Sequence, residues 1–272
     1  MSSRSLIAGV GVLALVTGCG APTTTYEPVF LAGRAVAPVG DSLFAATSTR
    51  VAAVILYDRR GRPRDTLGLG LLSNPGRVQV RDGSTYVSDV AQGHPLIAEF
   101  GPDGALRRTI RLDGMASQAH QFAVLPDGGV VIESRDARLL VLRGDSAATF
   151  APVEVGTRPS LLLGADGGVL HAIPDKMITL YNGFGHIRWR IDWPWQEAAF
   201  VADVALDRRG RIHFLVGDPA TGTFTAQTLA PATGEVVRWS EPTSGNSFVV
   251  DRLGQVIPAG GLWGDAAGRQ HP

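Results

Sequence analysis

An all-β fold, a six-bladed β-propeller of four-stranded repeats behind an N-terminal export signal, is what the residues point to. Three observations lead there. Turn-type glycines recur at Gly40, Gly83, Gly128, Gly167, Gly210 and Gly254, spaced 43, 45, 39, 43 and 44 residues apart. Each is followed by a short β-type run, and most are preceded by another, so each marks a hairpin. A second turn with apolar flanks follows in most units, and no helical periodicity is found beyond the first 19 residues. Four antiparallel strands in each repeat of roughly 40–50 residues is the pattern of a propeller blade.

Taken from the N-terminus, residues 1–18 read as a signal peptide. Arg4 supplies the positive start, and Leu6 to Thr17 is an apolar run of 12 residues. That is too short for the roughly 20 residues of a membrane-spanning helix and fits a secretory signal. The run ends in Leu15-Val16-Thr17-Gly18-Cys19, which resembles the lipobox of bacterial lipoproteins. The resemblance implies that Cys19, the single cysteine, is acylated (palmitate among its chains) and becomes the first mature residue. Several acyl chains on one residue give a stable membrane anchor where one chain gives only a marginal one. Gly20, in place of Asp, is similar to outer-membrane cargo in cells with two membranes, on the periplasmic or surface face. Residues 19–32 then comprise the lipidated Cys, a polar tether and a strand-like stretch, Tyr26 to Ala32, expected to close the ring by completing the last blade.

Residues 33–272 form the propeller. Asp precedes the turn glycine at Asp82, Asp127, Asp166, Asp207 and Asp251. Runs such as Arg77 to Val80 and Phe122 to Leu125 lead into these turns. The second turns include Tyr57 to Gly61, Phe100 to Gly104, Leu142 to Asp145, Tyr181 to Gly185 and Pro231 to Gly234. The unit from Val78 to Leu112 resembles the NHL-like six-bladed propellers, through Thr85-Tyr86-Val87-Ser88-Asp89 and the strand from Pro95 to Gly104. The likeness extends loosely over residues 33–265 and implies a fold more than an activity.

In the propellers so resembled, ligands sit over the face built by the loops between blades and the loops between second and third strands. Those loops fall near 69–77, 113–121, 153–160, 192–200 and 240–247, and near 47–53, 89–95, 133–138, 174–177 and 217–223. Loops on a rigid scaffold are where binding residues concentrate. Ligand-binding candidates follow. Trp193, Trp195 and Glu197 share one loop, and flat indole rings suit sugars and peptides; the other reading packs both rings beneath the loop. Arg50, Arg135 and Arg158 could ring the channel for a carboxylate or phosphate, although arginine is the default cation here, Lys176 being the one lysine among 25 basic residues. Asp89, His94 and His120 fall in loops of the same face and could make a small metal or proton-transfer site. His171 and His213 occupy matching positions in their units and read as structural.

The exclusions are as informative. Lys+Arg and Asp+Glu are both 25, so net charge is zero and no nucleic-acid footprint is present. One cysteine rules out a disulfide framework. Gly-x-Ser-x-Gly, His-Glu-x-x-His, phosphate-loop and dinucleotide-loop patterns do not occur. Two functions compete. The first is a lipid-anchored binding module of the cell envelope, without cofactor or metal, whose partners are the membrane and a ligand, glycan or envelope protein. The second is a propeller hydrolase, lactonase or sugar dehydrogenase with its site at the channel mouth and a divalent cation as cofactor.

Overall fold

In the computed structural model the chain is described at residues 35–40, 42–58, 61–118, 120–154, 156, 159–165, 167–195, 200–206, 211–218, 220–230, 235–238, 247–250, 256–259, 263–264 and 270–271. The signal, Cys19, the tether and the expected closing strand Tyr26 to Ala32 lie outside these residues. Among the described residues no helix is long and apolar enough to cross a membrane.

Among the described residues, five antiparallel four-stranded sheets follow one another along the chain. Blade 1 is β1 (Val36–Val39), β2 (Leu43–Ser48), β3 (Ala53–Asp58) and β4 (Pro63–Leu67). Blade 2 is β5 (Val78–Arg81), β6 (Ser84–Ala91), β7 (His94–Phe100) and β8 (Leu106–Arg111). Blade 3 is β9 (Phe122–Val124), β10 (Val130–Glu133), β11 (Arg138–Arg143) and β12 (Ser146–Pro152). Blade 4 is β13 (Leu161–Ala165), β14 (Gly168–Ile173), β15 (Met177–Tyr181) and β16 (Ile187–Asp192). Blade 5 is β17 (Phe200–Leu206), β18 (Ile212–Asp218), β19 (Thr223–Ala230) and β20 (Glu235–Arg238). Two short pairs follow: β21 (Ser247–Val250) with β22 (Val256–Ala259), and β23 (Trp263–Gly264) with β24 (Gln270–His271).

Among the described residues the expectation of six four-stranded blades is therefore corrected to five. The sixth position holds the two-stranded sheet β21–β22, whose first strand packs between β17 and β1. The reason is pairing: β23 and β24 bond to each other instead of extending β22. The first strands β1, β5, β9, β13, β17 and β21 contact their neighbours in sequence, and β21 returns to β1, so the hub is a closed ring.

The burial of each strand follows from its place in this ring. Second strands are covered on both faces by neighbouring blades, so β14 is buried throughout and β6 is buried from Ser84 to Asp89. Fourth strands face solvent and carry charge, as in Arg107, Arg108 and Arg111 of β8, which discourages edge-to-edge pairing. Four of the five apolar clusters among the described residues lie between two adjacent blades, and the fifth lies on blade 1. Val54 and Leu67 of blade 1 meet Val87 and Phe100 of blade 2, and Ile97 and Ile110 of blade 2 meet Phe122 and Ile132 of blade 3.

The turns repeat in detail. In blades 1, 2 and 4 the third-to-fourth-strand turn is closed by the same pair of backbone hydrogen bonds. Gly61, Gly104 and Gly185 donate to Asp58, Gly101 and Asn182, at 2.9, 2.9 and 3.1 Å. All three glycines are left-handed, with φ of 70°, 77° and 83°, a conformation that costs a residue with a Cβ. The register slips next to each of these turns, at Leu56/Tyr57, Glu99/Phe100 and Leu180/Tyr181. Such bulges sharpen the local twist of the outer strands.

Candidate binding face at the channel mouth

The connectivity gives the disk two faces. One, the loop face, carries the interblade loops and the turns between second and third strands. The other, the hairpin face, carries the turns that join first to second and third to fourth strands. The interblade loops, at 68–77, 112–121, 153–160 and 193–199, agree closely with the sequence reading.

At the hub, a cavity of about 150 Å3 is bounded by first-strand residues, among them Gln79, Leu163, Gly164 and Asp203, and by Arg77 just before β5. Its polar groups are mutually satisfied. Arg77 reaches from blade 2 to blade 5, donating from Nη2 to the Val204 carbonyl at 3.2 Å and lying 3.4 Å from the Asp203 carboxylate. Its Nη1 donates to Gln121 Oε1 at 3.4 Å. Gln79 Nε2 donates to the Phe122 carbonyl at 2.5 Å, and its Oε1 accepts from the amides of Val124 and Gly164 at 3.3 and 3.4 Å. Gly164 is required here, because a Cβ would fall on the Val124 carbonyl oxygen of the neighbouring first strand.

Two buried clusters lie between the hub and the loop face. In blade 2, Asp89 is fully buried and accepts the amides of Ser73 at 3.0 Å and Asn74 at 2.6 Å, which holds the preceding interblade loop. Ser88 beside it accepts the Arg77 amide at 2.8 Å and lies 3.2 Å from His120 Nδ1. The His120 ring lies where a Cβ on Gly76 would be. Thr47 plays the corresponding part in blade 1, donating to the Gly76 carbonyl at 2.7 Å. In blades 3 and 4, Glu133 accepts from the Ser160 hydroxyl and lies 3.4 Å from His171 Nε2. Gln118 donates to Ser160 at 3.2 Å. Burial pushes the Glu133 carboxyl up, but the hydrogen bonds from His171 and Ser160, with the charge of His171, outweigh it and hold the group below its ordinary value.

The remaining candidates are placed as follows. Arg50 is exposed on the β2–β3 turn and Arg135 on the β10–β11 turn, where Arg135 Nε donates to the Ala116 carbonyl at 3.4 Å. His94 is exposed and meets Asp113 at 2.8 Å. Asp89, His94 and His120 therefore each have a partner of their own. Among the described residues no three His, Cys, Asp or Glu side chains are grouped so as to hold a metal ion. Trp193 and Trp195 meet edge to face at 4.9 Å, and Trp195 meets Phe214 at 4.8 Å. Both rings are half-buried against the core between blades 4 and 5, and Trp195 Nε1 donates to Gln227 Oε1 at 2.9 Å. Trp193 Nε1 is buried with no hydrogen-bond partner among the described residues. Arg158 and Glu197 lie outside the described residues.

Matching positions did identify His171 and His213: both are buried, and each faces a threonine across the sheet, Thr179 and Thr228. Sequence reasoning missed Glu133, Ser160, Gln79 and Arg77 as a polar set. The Glu133–His171 contact joins residues 38 apart and Arg77 reaches 127 residues along the chain. Only a repeat-to-repeat alignment of the strand ends could have brought them together.

No protein-family model and no curated protein matches the sequence. Solved structures do. The chain is similar to a streptogramin B lyase, with TM-score 0.58 and 12% identity over 85% of this chain and 87% of that one. It is similar to a virginiamycin B lyase from Staphylococcus aureus, with TM-score 0.55 and 13% identity over 82% and 75%. A protein of unknown function from Bacteroides thetaiotaomicron gives TM-score 0.59 and 12% identity over 84% and 66%. At these identities the likeness is one of fold, and the chain is a β-propeller.

Proposed function

We propose that the chain is a binding module of the cell envelope, anchored through lipid on Cys19, which presents the loop face of its propeller to a ligand, glycan or envelope protein. The arrangement around Glu133 is the observation that favours binding over hydrolysis. The acid stands between Ser160 and His171. A nucleophilic relay needs the imidazole between hydroxyl and acid, so that the ring takes the hydroxyl proton. Here the order is hydroxyl, acid, imidazole, which ties blades together and leaves the serine unactivated. Arg77 is likewise used across the hub. Exposed Arg50, with Arg135 beyond its Ala116 contact and the His94–Asp113 pair, stands at the rim where a ligand would meet it.

A second reading, a lyase or hydrolase at the channel mouth, draws on the lyases among the similar folds. Metal content separates the two. The purified chain is expected to carry no stoichiometric divalent cation, and one tightly bound equivalent would favour the enzyme. A glycan and peptide screen read by melting temperature would then identify the ligand. The anchor is tested by mass spectrometry of the mature N-terminus. Acyl chains on Cys19 as first residue are expected, and an unmodified terminus elsewhere would refute the anchor.

A further inference from the structure

On the hairpin face, away from the channel mouth, blades 2 and 3 enclose a cleft of about 460 Å3. That is within the range of small-molecule sites. Three guanidinium groups line it, those of Arg81, Arg107 and Arg108. Its floor is a closed network. Arg108 Nε donates to Glu99 at 2.5 Å and Nη2 to the Gly128 carbonyl at 2.8 Å, above the buried Tyr86 ring. Burial, and then the charge of Glu99, push the Tyr86 phenol up, so it remains a neutral O–H donor.

The other two arginines are not used in this way. Arg81 Nε is buried and makes no hydrogen bond among the described residues. The nearest carboxylate oxygen is 3.6 Å away on Asp82, whose side chain is 77% exposed. Arg107 is exposed and forms no ion pair among the described residues. The remaining acid of the cleft, Asp127, is held by Arg143 at 2.8 Å. Because Arg81 Nε is closed to solvent, a ligand in the cleft would meet the outer Nη groups of Arg81 and Arg107, and an oxyanion is the acceptor that a planar fork fits best.

We infer that this cleft is a second binding site, for the carboxylate or phosphate group of a small anionic ligand, with Arg81 and Arg107 as the two recognition cations and the Arg108–Glu99–Tyr86 network as a rigid floor. The site stands apart from the proposed ligand face and does not depend on it.

Thermal melting of the purified full-length chain tests this, with sodium phosphate or sodium glucuronate replacing sodium chloride at constant ionic strength. Phosphate stabilises proteins generally by exclusion from their surface, so the readout is the difference between wild type and an Arg81→Ala/Arg107→Ala double variant. A saturable rise in wild-type melting temperature is expected with at least one anion, weakened by about tenfold or more in apparent affinity in the double variant. Saturation by phosphate alone or by glucuronate alone identifies the group recognised. Arg138→Ala, on another blade, is expected to bind as wild type. If the double variant melts below wild type in chloride, the Arg81→Gln/Arg107→Gln pair serves instead. No saturable rise with either anion, or an equal rise in the double variant, would overturn the site.

Discussion

Glu133 is a carboxylate shared between two blades, and its setting makes a prediction about acid. Because its folded pKa lies below the ordinary 4.5, it contributes stability that is fully present above that value. The contribution is lost as pH falls through the lower, folded value. Glu133→Gln keeps the shape but removes the charge. Wild type is expected to exceed the variant by about 1–3 kcal/mol near neutral pH, and the gap should close below pH 4.5. Denaturant titrations at several pH values check this; a constant gap would mean that the charge is not what matters. Asp89 shows a similar exchange of roles. Its position beside the loops made it a candidate ligand group, yet its oxygens hold the Ser73 and Asn74 amides. Nothing in the run Ser88-Asp89-Val90 distinguishes a loop anchor from a ligand.

The hairpin turns were legible because their chemistry is local. Gly40, Gly83, Gly128 and Gly167 were picked out by spacing, and each has positive φ. What spacing did not reveal is how tightly some turns meet the next blade. Gly185 is left-handed, and a Cβ there would fall on the Phe150 carbonyl oxygen of blade 3. Gly93 is left-handed too, at φ 84°, but has open space around it. Gly93→Ala should therefore cost only the backbone term, about 1–2 kcal/mol. Gly185→Ala adds a packing conflict of about 1–3 kcal/mol. Equal losses in denaturant melts would show that blade 3 yields freely at Phe150. The same distinction explains the tryptophan loop: Trp193-Pro194-Trp195 reads as an exposed platform or as local core, and only the position of Phe214, brought by blade 5, decides for packing.

For the molecule as a ring, the repeat predicted the architecture and overcounted its complete blades. Periodicity counts turns, and β21 and β22, on either side of position 254, do pair. It does not report how many strands join each sheet. The short sheet still matters, since β21 contacts both β17 and β1. Ending the chain at residue 246 removes it and exposes the flanks of two blades. The truncated protein is expected to melt more than about 10 °C lower, at roughly 2–4 °C for each kcal/mol lost, and less cooperatively. An unchanged, sharp transition would show that five blades hold together without closure.

The length of the second strands has a consequence for charge. With eight residues, β6 separates loop face from hairpin face by about 26 Å at roughly 3.3 Å per residue. The screening length in physiological salt is about 8 Å. A charge bound among the arginines of the hairpin face is thus some three screening lengths from the rim of the other. The zero net charge of the chain is a sum that no ligand encounters; each side of the disk presents its own field, and each answers to salt on its own.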